Sequence, residues 1–237
     1  MLYVDGKWMR AKDGKTFTVT NPATGETLGQ VADGGKEETR MAIEAAHRAF
    51  PGWSALPAKE RGSYMMKAAQ IMRQRVDRLA ETITKEMGKP LREARGEIQM
   101  GLDYLEWYAE EGKRVYGDTI PASTANKRLL VLKQPVGVVA AITPWNFPFS
   151  MITRKIAPAI AAGCTVVLKP APATPLTAMA IFEAFDEAGF PPGVVNLISS
   201  DRATEVGEEL MSNPLVRKVT FTGSTAVGKM LMKQAAE

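Results

Sequence analysis

Residues 136–170 run VGVVAAITPWNFPFSMITRKIAPAIAAGCTVVLKP. Two short apolar runs, VGVVAAIT and TVVLKP, flank a helical pattern over residues 149–162. Runs such as TVVL do not alternate polar with apolar residues, so they read as strands buried on both faces. The unit then repeats. TVVLKP leads into a helix predicted over residues 175–188, VVNLI into one over 203–211, and KVTFTG into one from Ser224 onward. Four consecutive strand-then-helix units predict an α/β fold with a doubly wound parallel sheet and helices on both faces.

The flanking sequence has a different texture. Residues 1–32 read as short strands and turns: LYVDGKWM carries a D-G hairpin signal, and NPATGE at 21–26 is a second turn cluster. Residues 35–111 are helical. Met41, Ala45, Ala46 and Ala49 share one face, and Pro51 with Gly52 is expected to stop that helix. Pro57 opens the next, with Tyr64, Ala68, Ile71 and Met72 on one side. Gly88 and Pro90 end the pattern over 76–87, and Ile98, Leu102, Leu105 and Tyr108 mark a long helix over 91–110. Residues 128–139 are rich in Leu and Val and predict strands around Gln134-Pro135. There is no internal repeat.

Composition excludes several classes of function. The 237 residues include 30 basic and 26 acidic side chains, a net charge of +4 without a Lys/Arg run, which argues against a nucleic-acid partner. A single Cys forbids an internal disulfide or a CxxC site, and a single His, His47, cannot build a His/Cys zinc centre. The uncharged run over 134–153 is long enough to span a bilayer, but Pro135, Pro144 and Pro148 break it, so no membrane segment is expected. MLYVDGKWMR lacks the apolar core of a signal peptide, and with a free thiol this points to the cytosol.

Ligands of open parallel sheets bind beyond the carboxyl ends of the strands. The informative residues are therefore the stretch from Thr143 to Pro148, then Lys169-Pro170-Ala171-Pro172, Ser199-Ser200-Asp201 and Thr222-Gly223-Ser224. From Thr119 through Phe182 there is no Asp or Glu, while Lys127, Arg128, Lys133, Arg154, Lys155 and Lys169 all fall there. That balance suits an anionic ligand, and equally suits interior elements that carry few charges. Lys169 can meet a ribose hydroxyl or a phosphate, or be a solvated loop lysine. Gly223 permits close approach of a phosphate to a helix N-terminus, where Ser224 is also a good N-cap. Asn146, in a proline-framed turn, can donate to a developing oxyanion or form an Asx-turn.

ITPWNFPFSMITRK, PAIAAGCTVVLKPAPATPLTA, EAGFPPGVVNLI and VRKVTFTGSTAVGK resemble the aldehyde dehydrogenase superfamily, in its order and spacing, as do DGKW and NPATGE. Within it, MITRK, AAGC and NPLVRK are most like bacterial succinate-semialdehyde dehydrogenases. The resemblance implies three regions: N-terminal hairpins and helices of the cofactor domain over 1–112, strands of a small β oligomerisation element over 113–136, and a Rossmann-like NAD(P)-binding region over 137–237. It implies that Trp145 and Asn146 line the nicotinamide end, with Asn146 an oxyanion donor. Lys169, in the Pro170-Ala171-Pro172 loop, would hold the adenosine ribose or its 2′-phosphate. Gly223 and Ser224 would contact the pyrophosphate, and Gly207 would lie near the adenine. Arg154 matches the arginine that clamps the substrate carboxylate; a surface helix arginine is the plainer reading.

NAD-preferring members of the family often carry Glu where this chain has Pro172, so the expected cofactor is NADP or NAD, leaning to NADP. The turn at Ser199-Ser200-Asp201-Arg202 lacks the family's frequent glycine. The family's nucleophilic cysteine and glutamate base lie beyond the strand–TGS–helix unit. Cys164, at the entry to a buried strand, is expected to be structural. The implied protein is an N-terminal fragment without the catalytic domain, inactive alone. Its whole would oxidise an aldehyde, succinate semialdehyde first, as a homo-oligomer. The alternative is a non-catalytic NAD(P)-binding or co-assembling form.

Overall fold

The computed structural model of the chain describes residues 1–236. Strands β1 (Leu2–Val4) and β2 (Lys7–Met9) pair antiparallel around Asp5-Gly6, whose φ angles of 53° and 73° give the type I′ geometry that D-G favours. Strands β3 (Thr16–Thr20) and β4 (Thr27–Ala32) make a second hairpin across the turn at 21–26. Helices α1 (Lys36–Ala55), α2 (Ala58–Gln74), α3 (Val76–Met87) and α4 (Leu91–Glu111) follow.

Pro51 and Gly52 do not stop α1, which carries Pro51 in its interior and runs on to Ala55. Tertiary packing overrides the missing N–H. Trp53, two residues on, is fully buried, donates its Nε1–H to the Ile160 carbonyl at 3.0 Å and packs against Tyr64 and Phe190.

After a single 3-10 turn at Gly112–Arg114, β5 (Asp118–Ile120) and β6 (Leu129–Val131) pair with each other only and are exposed throughout. The run at 128–139 thus holds β6 and the start of the next strand, and residues 132–137 between them belong to neither. The alternating half then proceeds through β7 (Val138–Ile142), α5 (Ser150–Ala161), β8 (Thr165–Lys169), α6 (Pro175–Ala188), β9 (Val195–Leu197), α7 (Ala203–Ser212), β10 (Val216–Phe221) and α8 (Thr225–Ala235). The helical state expected for Glu237 lies outside the described residues.

The main sheet has the order β10-β7-β8-β9-β1-β2. Its four later strands are parallel, as the apolar runs predict; β1 and β2 add an antiparallel edge, so the sheet is mixed. Successive residues point to opposite faces. Val139, Ala141, Val166 and Leu168 join the cluster built with α2 to α6, while Val138, Ala140 and Val167 join the one built with α1 and α7. The order reverses at β7, with β8 on one side and β10 on the other, which opens a crevice where α/β sheets bind ligands.

Candidate functional site

Register brings the predicted loops to one level. Ile142 lies opposite both Lys169 and Phe221. Beyond the strands, Thr143 N–H donates to the Lys169 carbonyl at 3.2 Å and Thr222 N–H to the Ile142 carbonyl at 3.2 Å. The Asn146 loop, the Lys169 loop and Gly223-Ser224 therefore leave the same edge of the sheet.

Lys169 is buried, which removes the solvated-loop reading. Among the described residues its Nζ reaches only the Pro170 and Ser200 carbonyls, at 3.3 and 3.4 Å. Burial lowers its pKa below the usual lysine range, and the carboxylates of Asp201 and Asp33 partly offset that. It lines a cleft of about 290 Å³ with Ala203, Gly207, Val227 and Leu231, between α7 and α8. A Cβ on Gly207 would meet no atom within 4 Å, so the glycine leaves room on that wall. An apolar slot with one buried, loosely bonded ammonium group fits an adenosine with an anionic or hydroxylated ribose.

Gly223 and Ser224 follow β10. Ser224 accepts a hydrogen bond from Val227 N–H at 3.3 Å, so its N-cap role is realised. A Cβ on Gly223 would fall 2.8 Å from Phe221 Cε2, a packing reason for glycine beside the phosphate one. The N–H groups at the start of α8, whose Val227 and Leu231 line the cleft, are oriented as an anion-compatible helix N-terminus.

Trp145 and Asn146 are exposed on the loop between β7 and α5. No protein group among the described residues bonds the Asn146 amide, so no Asx-turn forms and the donor stays free. Arg154, exposed on α5 with its guanidinium carbon 6.0 Å from the Tyr104 ring centre, does not line the α7–α8 cleft. It borders a second cavity of about 300 Å³ with Lys155, Pro158, Cys164 and Lys218. Cys164 is buried there at the entry to β8, as expected of a structural cysteine.

Four functional candidates escape the periodicity argument. Neither α5 nor α6 is capped by its own N-cap side chain. Buried carboxylates from α3 and α4 take that place. Glu97 accepts from Phe149 and Ser150 N–H at 2.8 and 3.1 Å, and Glu86 from Leu176 and Thr177 N–H at 2.8 Å each. Lys89 is ion-paired to Glu97 at 2.6 Å. The visible signal was a charge in core register: Glu86 follows Leu79 and Ile83, and Glu97 follows Ala94. Asp33 accepts from Asp201 N–H at 2.9 Å and Ser200 Oγ at 3.1 Å, holding the glycine-free turn in place.

Glu86 gives a pH test. Burial outweighs the hydrogen bonds it accepts from Thr177 and Leu176 and pushes its pKa from 4.5 up to about 7. With the folded value raised, the stability it contributes is complete below about pH 4.5 and lost as pH rises through 7. The swing is about 3 kcal/mol. Urea unfolding of the wild type and Glu86→Gln at pH 4.5 and pH 8 is expected to show the variant gaining that amount relative to wild type at the higher pH. Parallel pH profiles for the two proteins would refute the assignment.

The profile described as "Aldehyde dehydrogenase family" matches residues 8–237. The chain is 55% identical over 234 residues to the succinate-semialdehyde dehydrogenase [NADP(+)] GabD of Escherichia coli (strain K12), covering 99% of the chain and 48% of that protein. It is 55% identical over 235 residues to a glutarate-semialdehyde dehydrogenase of Pseudomonas aeruginosa, covering 99% and 48%. A crystal structure described as an E. coli NADP dependent enzyme superposes with a TM-score of 0.98 at 54% identity, covering 100% of the chain and 49% of that one. The chain thus spans about half the length of these relatives.

Proposed function

Because the chain belongs to the aldehyde dehydrogenase family, we propose that residues 1–237 are the cofactor-binding half of an NADP-preferring semialdehyde dehydrogenase. The observation that carries this is the level edge where Lys169, Gly223-Ser224 and the Asn146 loop converge beside the α7–α8 cleft. Lys169 would hold the adenosine ribose or its 2′-phosphate, with Pro170, Ala171 and Pro172 forming the loop around it. No carboxylate stands at Pro172 to repel a 2′-phosphate. Gly207 would leave room for the adenine, and the α8 N-terminus at Gly223 and Ser224 would receive the pyrophosphate.

The bound nicotinamide would supply the hydride acceptor. At that end Trp145 would line the ring and the free Asn146 amide would donate to the oxyanion that develops on the aldehyde carbonyl. Arg154 would pair with a substrate carboxylate. A relative named for succinate semialdehyde and another for glutarate semialdehyde support an aldehyde with a distal carboxylate, and succinate semialdehyde is the substrate we favour. The nucleophilic cysteine and the glutamate base are proposed to lie outside these residues, since the lone Cys164 is buried in β8's entry. The exposed β5–β6 hairpin is the proposed assembly element of a homo-oligomer, and it would serve equally in a non-catalytic, co-assembling form. Among the described residues no helix is long and apolar enough to cross a membrane; we propose a cytosolic site of action.

Calorimetric titration tests this reading. The chain is expected to bind NADP more tightly than NAD, and to give no reduced cofactor with succinate semialdehyde above a protein-free control. Tighter NAD binding overturns the preference, binding of neither overturns the cofactor role, and turnover overturns the inactivity.

A further inference from the structure

The loop from Thr143 to Phe149 carries Trp145 and Asn146 on an exposed tip, yet it is tied down from beneath by one buried cation. Lys89 stands in the turn between α3 and α4, just past Gly88, whose φ of 85° lets the chain reverse there. Its Nζ donates to Glu97 Oε2 at 2.6 Å and to the Asn146 carbonyl at 3.0 Å, and lies 3.8 Å from the centre of the Phe147 ring. Both Lys89 and Glu97 are buried. Glu97 in turn accepts from Phe149 and Ser150 N–H, the first donors of α5. One hydrogen-bonded ion pair therefore holds the loop at two points: its middle, at the Asn146 carbonyl, and its far end, at the start of α5. The buried ammonium against the face of the exposed Phe147 ring adds a cation–π contact.

We propose that Lys89, oriented by Glu97, is a positioning residue for the nicotinamide end of the cofactor site. By holding the Asn146 carbonyl it sets the direction of the whole tip: of Trp145, which would line the nicotinamide and so contribute to NADP affinity, and of the free Asn146 amide. Lys89 is buried beneath the loop and acts through the backbone of Asn146. An amide that must donate to one point needs its backbone held to within a fraction of an ångström, and an exposed loop without such a tether samples other directions. The inference rests on the cofactor reading above, and two ligands separate them. Adenosine 2′,5′-bisphosphate occupies only the adenosine end beside Lys169. NADP occupies that end and the nicotinamide end.

The test uses the 237-residue chain and measures affinity for both ligands in wild type, Lys89→Met and the double variant Lys89→Met/Glu97→Gln. The single variant leaves Glu97 buried without its cation and risks misfolding. The double variant keeps an acceptor oxygen for Phe149 and Ser150 N–H and loses the tether. The double variant is expected to bind the bisphosphate within twofold of wild type while its NADP affinity falls about tenfold. Amide exchange should quicken at 145–147 and stay slow in β7 and β8. Unchanged NADP affinity overturns the positioning role, as does an equal fall for both ligands, which marks a general structural effect. Wild-type chain that binds neither ligand overturns the cofactor reading itself, and the inference with it.

Discussion

Gly101→Ala is expected to destabilise the chain by about 3 kcal/mol, the upper part of the range for overpacking a close core. Gly101 sits on α4 where that helix meets α5. A Cβ there would fall 2.6 Å from Phe149 Cε1 and 2.9 Å from Thr153 Oγ1. Phe149 is fully buried and precedes α5, so neither its ring nor the helix behind it can yield cheaply. The same strain reaches the site, because Phe149 N–H is one of the donors that Glu97 holds. Gly96 supplies a matched control on the same helix. It is exposed, and a Cβ there meets nothing within 4 Å. Gly96→Ala is expected to stabilise by about 0.5–1 kcal/mol through helix propensity alone. Urea midpoints that move in opposite directions for the two variants support close α4–α5 packing; a neutral or stabilising Gly101→Ala contradicts it.

That contrast also explains what was legible in the sequence. Helix and strand runs in the second half are set by local pattern, so TVVLK and the helix Pro175–Ala188 could be read directly. Pro51 misled because the breaking rule is local, whereas the burial of Trp53 against Ile160 is a contact 107 positions away. The hairpin LYVDGKWM was visible, but not that β1 would pair with β9, since edge pairing follows from the finished sheet. The candidate site divides in the same way. Lys169, Gly223 and Asn146 lie at strand ends and could be named from position. Glu86, Lys89 and Glu97 lie in a separate helical hairpin, and outside it they hydrogen-bond backbone N–H and carbonyl groups, which carry no residue code. Only the charges in core register hinted at them.

Lys169→Met is the variant expected to change cofactor recognition most. The side chains are of similar length, so the substitution removes the charge and leaves most of the packing. Its loss to stability should be small, since the amine makes only two long bonds to carbonyls and is already disfavoured by burial. Its loss to binding should be large. A charge-assisted hydrogen bond to phosphate contributes about 1.5–3 kcal/mol, a fall of roughly 10- to 150-fold in NADP affinity. The nearby Asp201 sharpens the effect: without the ammonium its carboxylate adds a negative field at the proposed ribose end, which a 2′-phosphate feels more than a hydroxyl does, whereas Asp33 is already paired with Arg202 at 3.3 Å. Selectivity is therefore the decisive quantity. The ratio of NADP to NAD affinity is expected to drop at least tenfold in Lys169→Met. Equal losses for the two cofactors would place Lys169 on ribose hydroxyls and remove the basis for an NADP preference. Unchanged affinities would remove it from the site, and with it the α7–α8 cleft as the adenosine pocket.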